Sequence, residues 1–349
     1  MLVFILILAM IIISGLTAKG KNEFFTDYCS PKNTTTANAV FSVLIFLSHS
    51  FQHIDAHNAI DEPYIAIRTF LGQAVVVTYL FYSGYGIMES IRKKKLDYVK
   101  GIPFNRFFKL WYHFALMICM FIVICFIMDK DYTLTDYLLA FTGYKSIGND
   151  NWYLFVTFAL YIIVYLSFIL FRKSNILAVA SVFILTIGFI FIEKELELPP
   201  RYYDTIMCFP LGMIFSLIKP YVDKILMKND IIWLVAVTAV FIACMYCSQN
   251  RHEDFIFRVL FMCTSPILIT LLMMKLQCRS SILDWFGNHI FSFFMLQRIP
   301  MRLLDHFNLN NEPYLFIGMA FFGTILIATV FDEFTDKLDK IIFKKKIKT

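Results

Sequence analysis

Charged residues are scarce in this chain of 349 residues. Asp, Glu, Lys and Arg together make up 17% of it, whereas soluble domains contain about 25%. Hydrophobic residues reach 59%, aromatic residues reach 17%, and the mean hydropathy is +0.66. This composition excludes a soluble globular enzyme and is typical of a polytopic membrane protein.

Long polar segments and paired cysteines are also lacking. The longest polar stretches, 19–38 and 128–151, have the length of loops, which excludes a separate soluble catalytic domain. The eight cysteines are scattered, mostly in apolar segments, and Cys244 and Cys247 form a lone CxxC. We therefore expect neither a disulfide framework nor a zinc site, and any chemistry must come from helices and their short connections.

The chain instead contains a series of apolar runs, each close to the roughly 20 residues that cross a bilayer. The predicted spans are 2–18, 38–56, 69–89, 108–128, 152–171, 175–192, 203–218, 231–248, 255–274, 285–303 and 314–331. We predict an all-α membrane helix bundle with about ten core helices plus one extra N-terminal helix. The first run lacks a positively charged n-region, so we expect a retained helix with its N-terminus outside.

Three regions follow from these spans. We expect an extra N-terminal helix and cytoplasmic linker in 1–37, the main membrane domain in 38–331, and a basic cytoplasmic tail in 332–349. The orientation follows from the excess of Lys and Arg in cytoplasmic loops. The predicted inner segments hold 23 of the 32 Lys and Arg residues: 19–37, 90–109, 172–174, 219–229, 275–281 and 332–349. The net charge of +6 therefore needs no nucleic acid partner; the partners that surround such a chain are membrane lipids.

His49 lies inside the second predicted span. With a helix that starts on the inside near Ala39, His49 is ten residues along it, which places the imidazole near the middle of the bilayer. Ionisable groups at that depth are costly and often line a functional cavity, and imidazole is the best general base near neutral pH. The alternative is a neutral histidine that bonds a neighbouring helix.

Two further histidines follow at helical spacing. His53 and His57 are four and eight residues beyond His49, a spacing that can chelate zinc. Asp55 and Asp61 are near, but the sequence offers no convincing fourth ligand. We therefore predict no metal and expect the two histidines to line the outer mouth or to be solvated.

The third span joins small residues to a basic cluster. Ser83, Gly84 and Gly86 let a helix or a ligand approach the backbone closely. The chain then enters the cytoplasm through Arg92, Lys93, Lys94 and Lys95, which suit a polyanionic ligand. The positive-inside bias explains much of this cluster without a ligand.

Several ordered motifs resemble the acyltransferase family 3, the integral-membrane O-acetyltransferases of bacterial surface glycans. These are Leu47-Ser48-His49, Tyr79 to Tyr85, Pro103-Phe104-Asn105-Arg106, Asn151-Trp152-Tyr153-Leu154, and Trp285-Phe286-Gly287-Asn288-His289 through Phe294-Met295-Leu296-Gln297. Together they span 38–331. The chain departs from the family pattern in having one arginine, Arg106, before the third helix of the core, and Ile290 and Gln297 at a serine and a histidine position.

The resemblance implies a multi-pass enzyme of the bacterial inner (cytoplasmic) membrane that moves an acetyl group from cytoplasmic acetyl-CoA, without a metal, to a sugar hydroxyl. The acceptor would be a surface glycan or its lipid-linked precursor. His49 would act as the base or carry the acyl group, and the thioester would thread towards Ser83. The CoA phosphates would bind Arg92, Lys93, Lys94, Lys95, Arg106 and Lys109.

Two further roles complete the predicted site. Gln297 lies at a depth similar to His49, so we expect a hydrogen-bond partner or oxyanion donor. Trp152 would stack on a sugar ring while Asp150 and Asn151 bond its hydroxyls, although aromatic residues here also fit an interfacial belt.

Three other classes compete with the acyltransferase. A polytopic transporter or flippase for a glycan or lipid-linked substrate would also carry polar residues near the midplane, yet the sequence shows no repeat halves. A membrane glycosyltransferase or polymerase would need a large outer loop or an acidic metal motif. A structural subunit would not need the ordered motifs.

Overall fold

The computed structural model describes residues 1–54 and 61–343, and within them the chain is predominantly α-helical. The helices are α1 (Leu2–Gly15), α2 (Pro31–Ser50), α3 (Glu62–Leu71), α4 (Val77–Ile102), α5 (Lys109–Ile127), α6 (Leu134–Ala140), α7 (Trp152–Leu170), α8 (Asn175–Glu195), α9 (Cys208–Leu226), α10 (Asp230–Asn250), α11 (Phe255–Met273), α12 (Ser281–Asn288), α13 (Ile290–Leu296), α14 (Arg298–His306) and α15 (Pro313–Phe343). Short 3₁₀ turns lie at Phe51–His53, Gly72–Val76 and Pro200–Tyr202, and a π-helical turn at Pro103–Phe108 joins α4 to α5.

Six helical stretches among the described residues are long and apolar enough to cross a membrane. They are Glu62–Ile127, counted as one continuous run, Trp152–Leu170, Asn175–Glu195, Asp230–Asn250, Phe255–Met273 and Pro313–Phe343. This agrees with a multi-pass all-α membrane bundle, while the count of ten core helices stays a prediction. The span expected at 285–303 is not one helix, because it is interrupted at His289 and at Gln297.

Helix α2 begins eight residues before its predicted start near Ala39. Ser30 is the N-cap, and its side chain accepts a hydrogen bond from the backbone N–H of Asn33 at 3.4 Å. Pro31 occupies the first turn, where its missing N–H costs nothing. Helix α2 also ends earlier than the predicted residue 56, at Ser50, and this end places His49 in its last turn.

The N-terminal segment departs from the predicted span 2–18. Helix α1 ends at Gly15 and is about 21 Å long, shorter than the hydrocarbon core of a bilayer. The chain continues as strand β1 (Leu16–Ala18), which pairs antiparallel with β2 (Leu276–Cys278). At the other end of α1, the amino group of Met1 donates to Asp61 at 2.8 Å.

Helices α4 and α9 form the tightest contact in the bundle. A Cβ at Gly84 would overlap the carbonyl oxygen of Phe209, and a Cβ at Gly212 would overlap the carbonyl oxygen of Phe81. Only residues without a side chain allow the two backbones to meet in this way. The expected close approach at Gly84 is therefore present, and it fixes α4 against α9 beside the site.

Helix α15 runs twelve residues past the predicted end of the last span at residue 331. Asp332 accepts a hydrogen bond from Ser292 at 2.6 Å and contacts His289, and Asp339 pairs with Lys109. These contacts pack residues 332–343 into the bundle, so this part of the predicted tail is a continuation of the helix. Residues 344–349 lie outside the described residues.

Candidate functional site

His49 lies near the C-terminal end of α2, the end predicted to face outside, on the turn that precedes the 3₁₀ segment Phe51–His53. It is 18 residues beyond Pro31, or about 27 Å along the helix axis. The expectation that His49 is ten residues into its helix is therefore wrong, because α2 starts earlier than the apolar run suggests. Its depth near the middle of the bilayer stays a prediction.

An aspartate and an arginine from distant parts of the chain meet at His49. The Asp150 Oδ2 atom lies 3.3 Å from His49 Nδ1, and Arg298 Nε donates to the same oxygen at 2.5 Å. Arg298 also donates from its terminal nitrogen to Gln52 Oε1 at 3.3 Å. The side chains of the three residues are 13% to 18% exposed, so the group is enclosed but still open to a reactant.

This arrangement leaves the second imidazole nitrogen for chemistry. Asp150 comes from the connection before α7, and Arg298 begins α14 just after the break at Gln297. His49 Nδ1 forms no hydrogen bond among the described residues, so the Asp150 carboxylate, 3.3 Å away, acts on the ring through its charge. That charge stabilises the imidazolium that forms when Nε2 takes a proton. The arrangement therefore suits a general base.

A second histidine–aspartate pair lies farther out. His53 Nδ1 is 3.2 Å from Asp305 Oδ2, and Asp305 also accepts from Asn310 at 2.8 Å. His49 and His53 thus face different carboxylates, and no group of three or more metal-binding side chains is present among residues 1–54 and 61–343. His57 and Asp55, the other members of the zinc alternative, lie outside the described residues.

The side predicted to face the cytoplasm contains the largest cavity among those found in the described part of the chain, about 830 Å³ in volume. It lies between the segment 26–38, α4 and α9, and its basic side chains are Arg92, Lys93 and Lys219. Arg92 is held by Glu89 at 2.7 Å and by the carbonyl of Ser216 at 3.0 Å.

A smaller chamber of about 170 Å³ lies beside this cavity. Tyr79 and Ser83, one turn apart on α4, line both spaces. The chamber is mostly apolar and also borders Tyr153, Phe294 and Ile45, the last one helical turn before His49.

Aromatic rings connect the chamber to His49. The ring centroid of Tyr79 is 6.3 Å from that of Tyr153, which is 5.9 Å from that of Phe294, which is 6.4 Å from that of His49. Packed aromatic rings therefore fill the space between Tyr79, which lines the large cavity, and His49.

Neither of the other two predicted catalytic residues contacts His49. Ser83 lies at the junction of the two cavities, and no hydrogen bond among the described residues joins it to His49. Gln297 is fully buried and donates to the carbonyl of Phe294 at 2.7 Å, while its Oε1 has no hydrogen-bond partner in the described structure. The similar depth of Gln297 and His49 in the membrane stays a prediction.

The six predicted phosphate ligands do not share one surface. Arg92 and Lys93 line the large cavity, whereas Lys94 and Arg106 line a separate space of about 230 Å³, where Arg106 donates to Tyr98 at 3.0 Å. Lys95 is exposed at a kink in α4, and Lys109 forms an ion pair with Asp339.

The predicted sugar-binding residues also separate. Asn151 is buried and donates to the carbonyl of Gly143 at 2.5 Å and to the Tyr202 hydroxyl at 3.3 Å, which anchors the start of α7. Trp152 is 8% exposed and contacts the ring of Tyr153. Asp150 alone of the three reaches the His49 group.

Sequence reasoning missed Arg298 as the partner of Asp150 and Lys219 as a wall of the large cavity. Arg298 could have been found from the sequence. It lies in an apolar span next to Gln297, and a cation inside such a span needs a carboxylate partner. Lys219 could not have been found, since the sequence predicts a cytoplasmic loop at this position whereas the structure places it inside α9.

The sequence was compared with models of known protein families, with curated proteins and with solved structures. The model of acyltransferase family 3, described as an acyltransferase domain, matches residues 38–333. This range includes His49, Asp150, Arg298, the whole lining of the small chamber, and the walls that α4 and α9 contribute to the large cavity. No curated protein and no solved structure matches the chain. Because the family model covers most of the 349 residues, the chain belongs to acyltransferase family 3 and is a membrane acyltransferase.

Proposed function

We propose that this protein transfers an acetyl group from cytoplasmic acetyl-CoA to a hydroxyl of a cell-surface glycan or its lipid-linked precursor, in the cytoplasmic membrane of a bacterium. The observation that carries the proposal is the pair His49 and Asp150, whose histidine contacts the ring of Phe294, a wall of the small apolar chamber. That chamber shares Tyr79 and Ser83 with the cavity at Arg92 and Lys93. A donor and an acceptor on opposite sides of a membrane require such an arrangement.

The donor enters from the inner side. Arg92, Lys93 and Lys219 line a space with the volume that a nucleotide needs. Arg92 pairs with Glu89 and Lys219 with Asp223, so Lys93, which forms no ion pair among the described residues, is the cation that meets the phosphates. The pantetheine arm extends past Ser83 into the mostly apolar chamber, where the uncharged thioester is out of water. Lys109 takes no part in this binding because Asp339 neutralises it.

The reaction takes place at His49. Its Nε2 atom removes the proton of the acceptor hydroxyl, whose oxygen forms a bond to the thioester carbon while the bond from carbon to sulfur breaks. The CoA thiolate then takes the proton from the imidazolium, so that an ester and free CoA are the products. Asp150 stabilises the imidazolium between these two steps, and Arg298 holds Asp150 in place.

Release of free CoA from acetyl-CoA tests this function. The protein is purified in detergent, supplied with a crude envelope glycan, and compared with His49→Ala and with His306→Ala, whose exposed side chain lies at the end of α14. We expect acceptor-dependent release by the wild type and by His306→Ala, and a loss of about 10²- to 10⁴-fold in His49→Ala.

Two results would contradict the proposal. Equal release by His49→Ala, with the variant folded, would remove the histidine from the reaction. Absence of both CoA release and CoA binding in the wild type would favour the transporter or flippase alternative.

A further inference from the structure

Arginine and lysine are distributed unequally between the two sides of this protein. The predicted inner segments hold 23 basic residues, of which 19 are lysine. The remaining nine basic residues include six arginines: Arg68, Arg201, Arg251, Arg258, Arg298 and Arg302. The positive-inside rule accounts for the inner lysines but gives no reason for arginines on the outer side.

Three of the outer arginines hold the backbone around the site. Arg251 donates to the carbonyl of Thr69 at 2.5 Å and also bonds the carbonyl of Phe70, which fixes the end of α3. Arg302 donates to the carbonyl of Ile147 at 2.9 Å, just before Asp150. Arg258 donates to the carbonyl of Arg251 at 3.2 Å and lies 3.5 Å from Asp204.

The other three lie near the pair formed by His49 and Asp150. Arg298 is neutralised by Asp150, as described above. Arg68 donates from Nε to the hydroxyl of Ser48, the neighbour of His49, at 3.1 Å, and its guanidinium lies over the ring of Phe51. Arg201 is exposed, and its neighbour Tyr202 accepts a hydrogen bond at 3.3 Å from Asn151, the neighbour of Asp150.

Two positive charges at the site are thus left without a carboxylate. Among residues 1–54 and 61–343, no ion pair joins Arg68 or Arg201 to an acidic side chain. The Nε atom of Arg68 is used on Ser48, which fixes the side chain and leaves its two terminal nitrogens as a fork. A guanidinium fork of this kind matches the two oxygens of a phosphate or a carboxylate.

We infer that the acceptor is anionic, and that Arg68 and Arg201 bind a phosphate or carboxylate oxyanion of the acceptor beside the hydroxyl that His49 deprotonates. This inference rests on the proposed function, since it names the chemical class of its acceptor. The two arginines lie on α3 and on the turn before α9, so they approach His49 from separate elements. An oxyanion held between them orients the neighbouring hydroxyl towards the imidazole.

Matched acceptors test the inference with the full-length protein in detergent. One pair is methyl glucoside and methyl glucuronoside, which differ by a carboxylate; the other is glycerol and glycerophosphoglycerol, which differ by a phosphodiester. Acetyl transfer from acetyl-CoA is followed as kcat/KM for each. We expect the anionic member of at least one pair to be favoured by at least about tenfold at low salt, and by less at 0.5 M NaCl.

The arginine variants identify the groups responsible. Arg68→Gln and Arg201→Gln each lower kcat/KM about tenfold for the favoured anionic acceptor and leave the neutral acceptor nearly unchanged. Arg201 has no partner among the described residues, so its variant folds even if the loss of the bond to Ser48 harms Arg68→Gln. Arg172→Gln, on the predicted inner side between α7 and α8, is the control and changes kcat/KM for neither the anionic nor the neutral acceptor. A preference within the glucoside pair indicates a carboxylate acceptor, and a preference within the glycerol pair indicates a phosphate acceptor.

Equal kcat/KM for both members of both pairs would overturn the inference while leaving the acyltransferase intact. If no small acceptor is acetylated, binding of labelled oligomers decides the question without turnover. Poly(glycerol phosphate) or hyaluronan binds the wild type and binds Arg201→Gln about tenfold more weakly, whereas dextran binds neither. Binding of the anionic oligomers that does not exceed that of dextran would overturn it. Failure of CoA release with intact oligomer binding would instead count against the proposed function alone.

Discussion

The pair formed by His49 and Asp150 makes a quantitative prediction for Asp150→Asn. The substitution keeps the size of the side chain and its acceptor oxygen but removes the charge that faces His49 Nδ1. An amide cannot stabilise the imidazolium that forms when His49 takes the acceptor proton. We therefore expect the chemical step to slow while the fold and donor binding are retained.

The size of the effect follows from the geometry. Opposite unit charges 3.3 Å apart attract by about 5 kcal/mol at an effective dielectric constant of about 20. Arg298 donates to the same carboxylate oxygen and lowers its effective charge, so we take half of this energy, about 2.5 kcal/mol. Since about 1.4 kcal/mol corresponds to a factor of ten, the expected loss in rate is between about fiftyfold and a hundredfold.

Single-turnover release of CoA from bound acetyl-CoA, with saturating acceptor, measures this step. Asp305→Asn is the control, because Asp305 also faces a histidine: its Oδ2 atom forms a hydrogen bond with His53 Nδ1 at 3.2 Å. We expect Asp305→Asn to react within about threefold of the wild type. The double variant His49→Ala with Asp150→Asn should be no slower than His49→Ala, since residues that act as a unit are not additive.

A rate for Asp150→Asn within threefold of the wild type, in a preparation where His49→Ala is inactive, would refute this reasoning. The carboxylate would then hold Arg298 in place without acting on the histidine. Loss of rate in Asp305→Asn equal to that in Asp150→Asn would also refute it, because both effects would then be general consequences of a changed charge on the outer side.

Three further predictions concern donor binding and stability. Lys93→Gln should raise the KM for acetyl-CoA about tenfold in steady-state assays, whereas Lys95→Gln, on the exposed kink of α4, should leave it unchanged. Gly84→Ala should lower the free energy of unfolding by about 1–3 kcal/mol because its Cβ overlaps α9, while Gly86→Ala, which meets no atom within 4 Å, should unfold at nearly the wild-type temperature. Asp339→Asn should lower the thermal midpoint by removing about 1–3 kcal/mol of charge-assisted bonding between α15 and α5, and an unchanged midpoint would show that the contact contributes nothing.

The helical class could be predicted from composition because about 20 apolar residues in succession leave few alternatives in a membrane. Helix ends could not be located as well. The apolar run predicts a start near Ala39, yet Ser30 and Pro31 already form a good N-terminus ahead of the threonines that follow. The prediction of one helix over 285–303 is wrong because the helix is broken at His289 and Gln297, and the apolar sequence around these residues gives no sign of either break.

The site was predictable where one residue carried the signal and unpredictable where two distant residues had to meet. A histidine in an apolar span is expensive in lipid, which is why His49 could be singled out. Asp150 was also singled out, but as a residue that bonds sugar hydroxyls, because it neighbours Trp152, which was expected to stack on a sugar ring. Its contact with His49 spans 101 positions, and its contact with Arg298 spans 148. Nothing local in the sequence specifies either separation.

The basic run of α4 shows how helix geometry limits such reasoning. Successive residues of a helix point about 100° apart, so four consecutive cations cannot all face one ligand. Arg92 and Lys93 line the large cavity, Lys94 lines a different space, and the kink at Lys95, where φ is 49°, turns the remaining helix away. Lys219 completes the cavity from α9, because the contact of Gly84 with Phe209 holds that helix close to α4. The number of cations in the run therefore predicts the side of the membrane on which it lies. Which of these cations face a ligand depends instead on how α4 and α9 pack at their glycines.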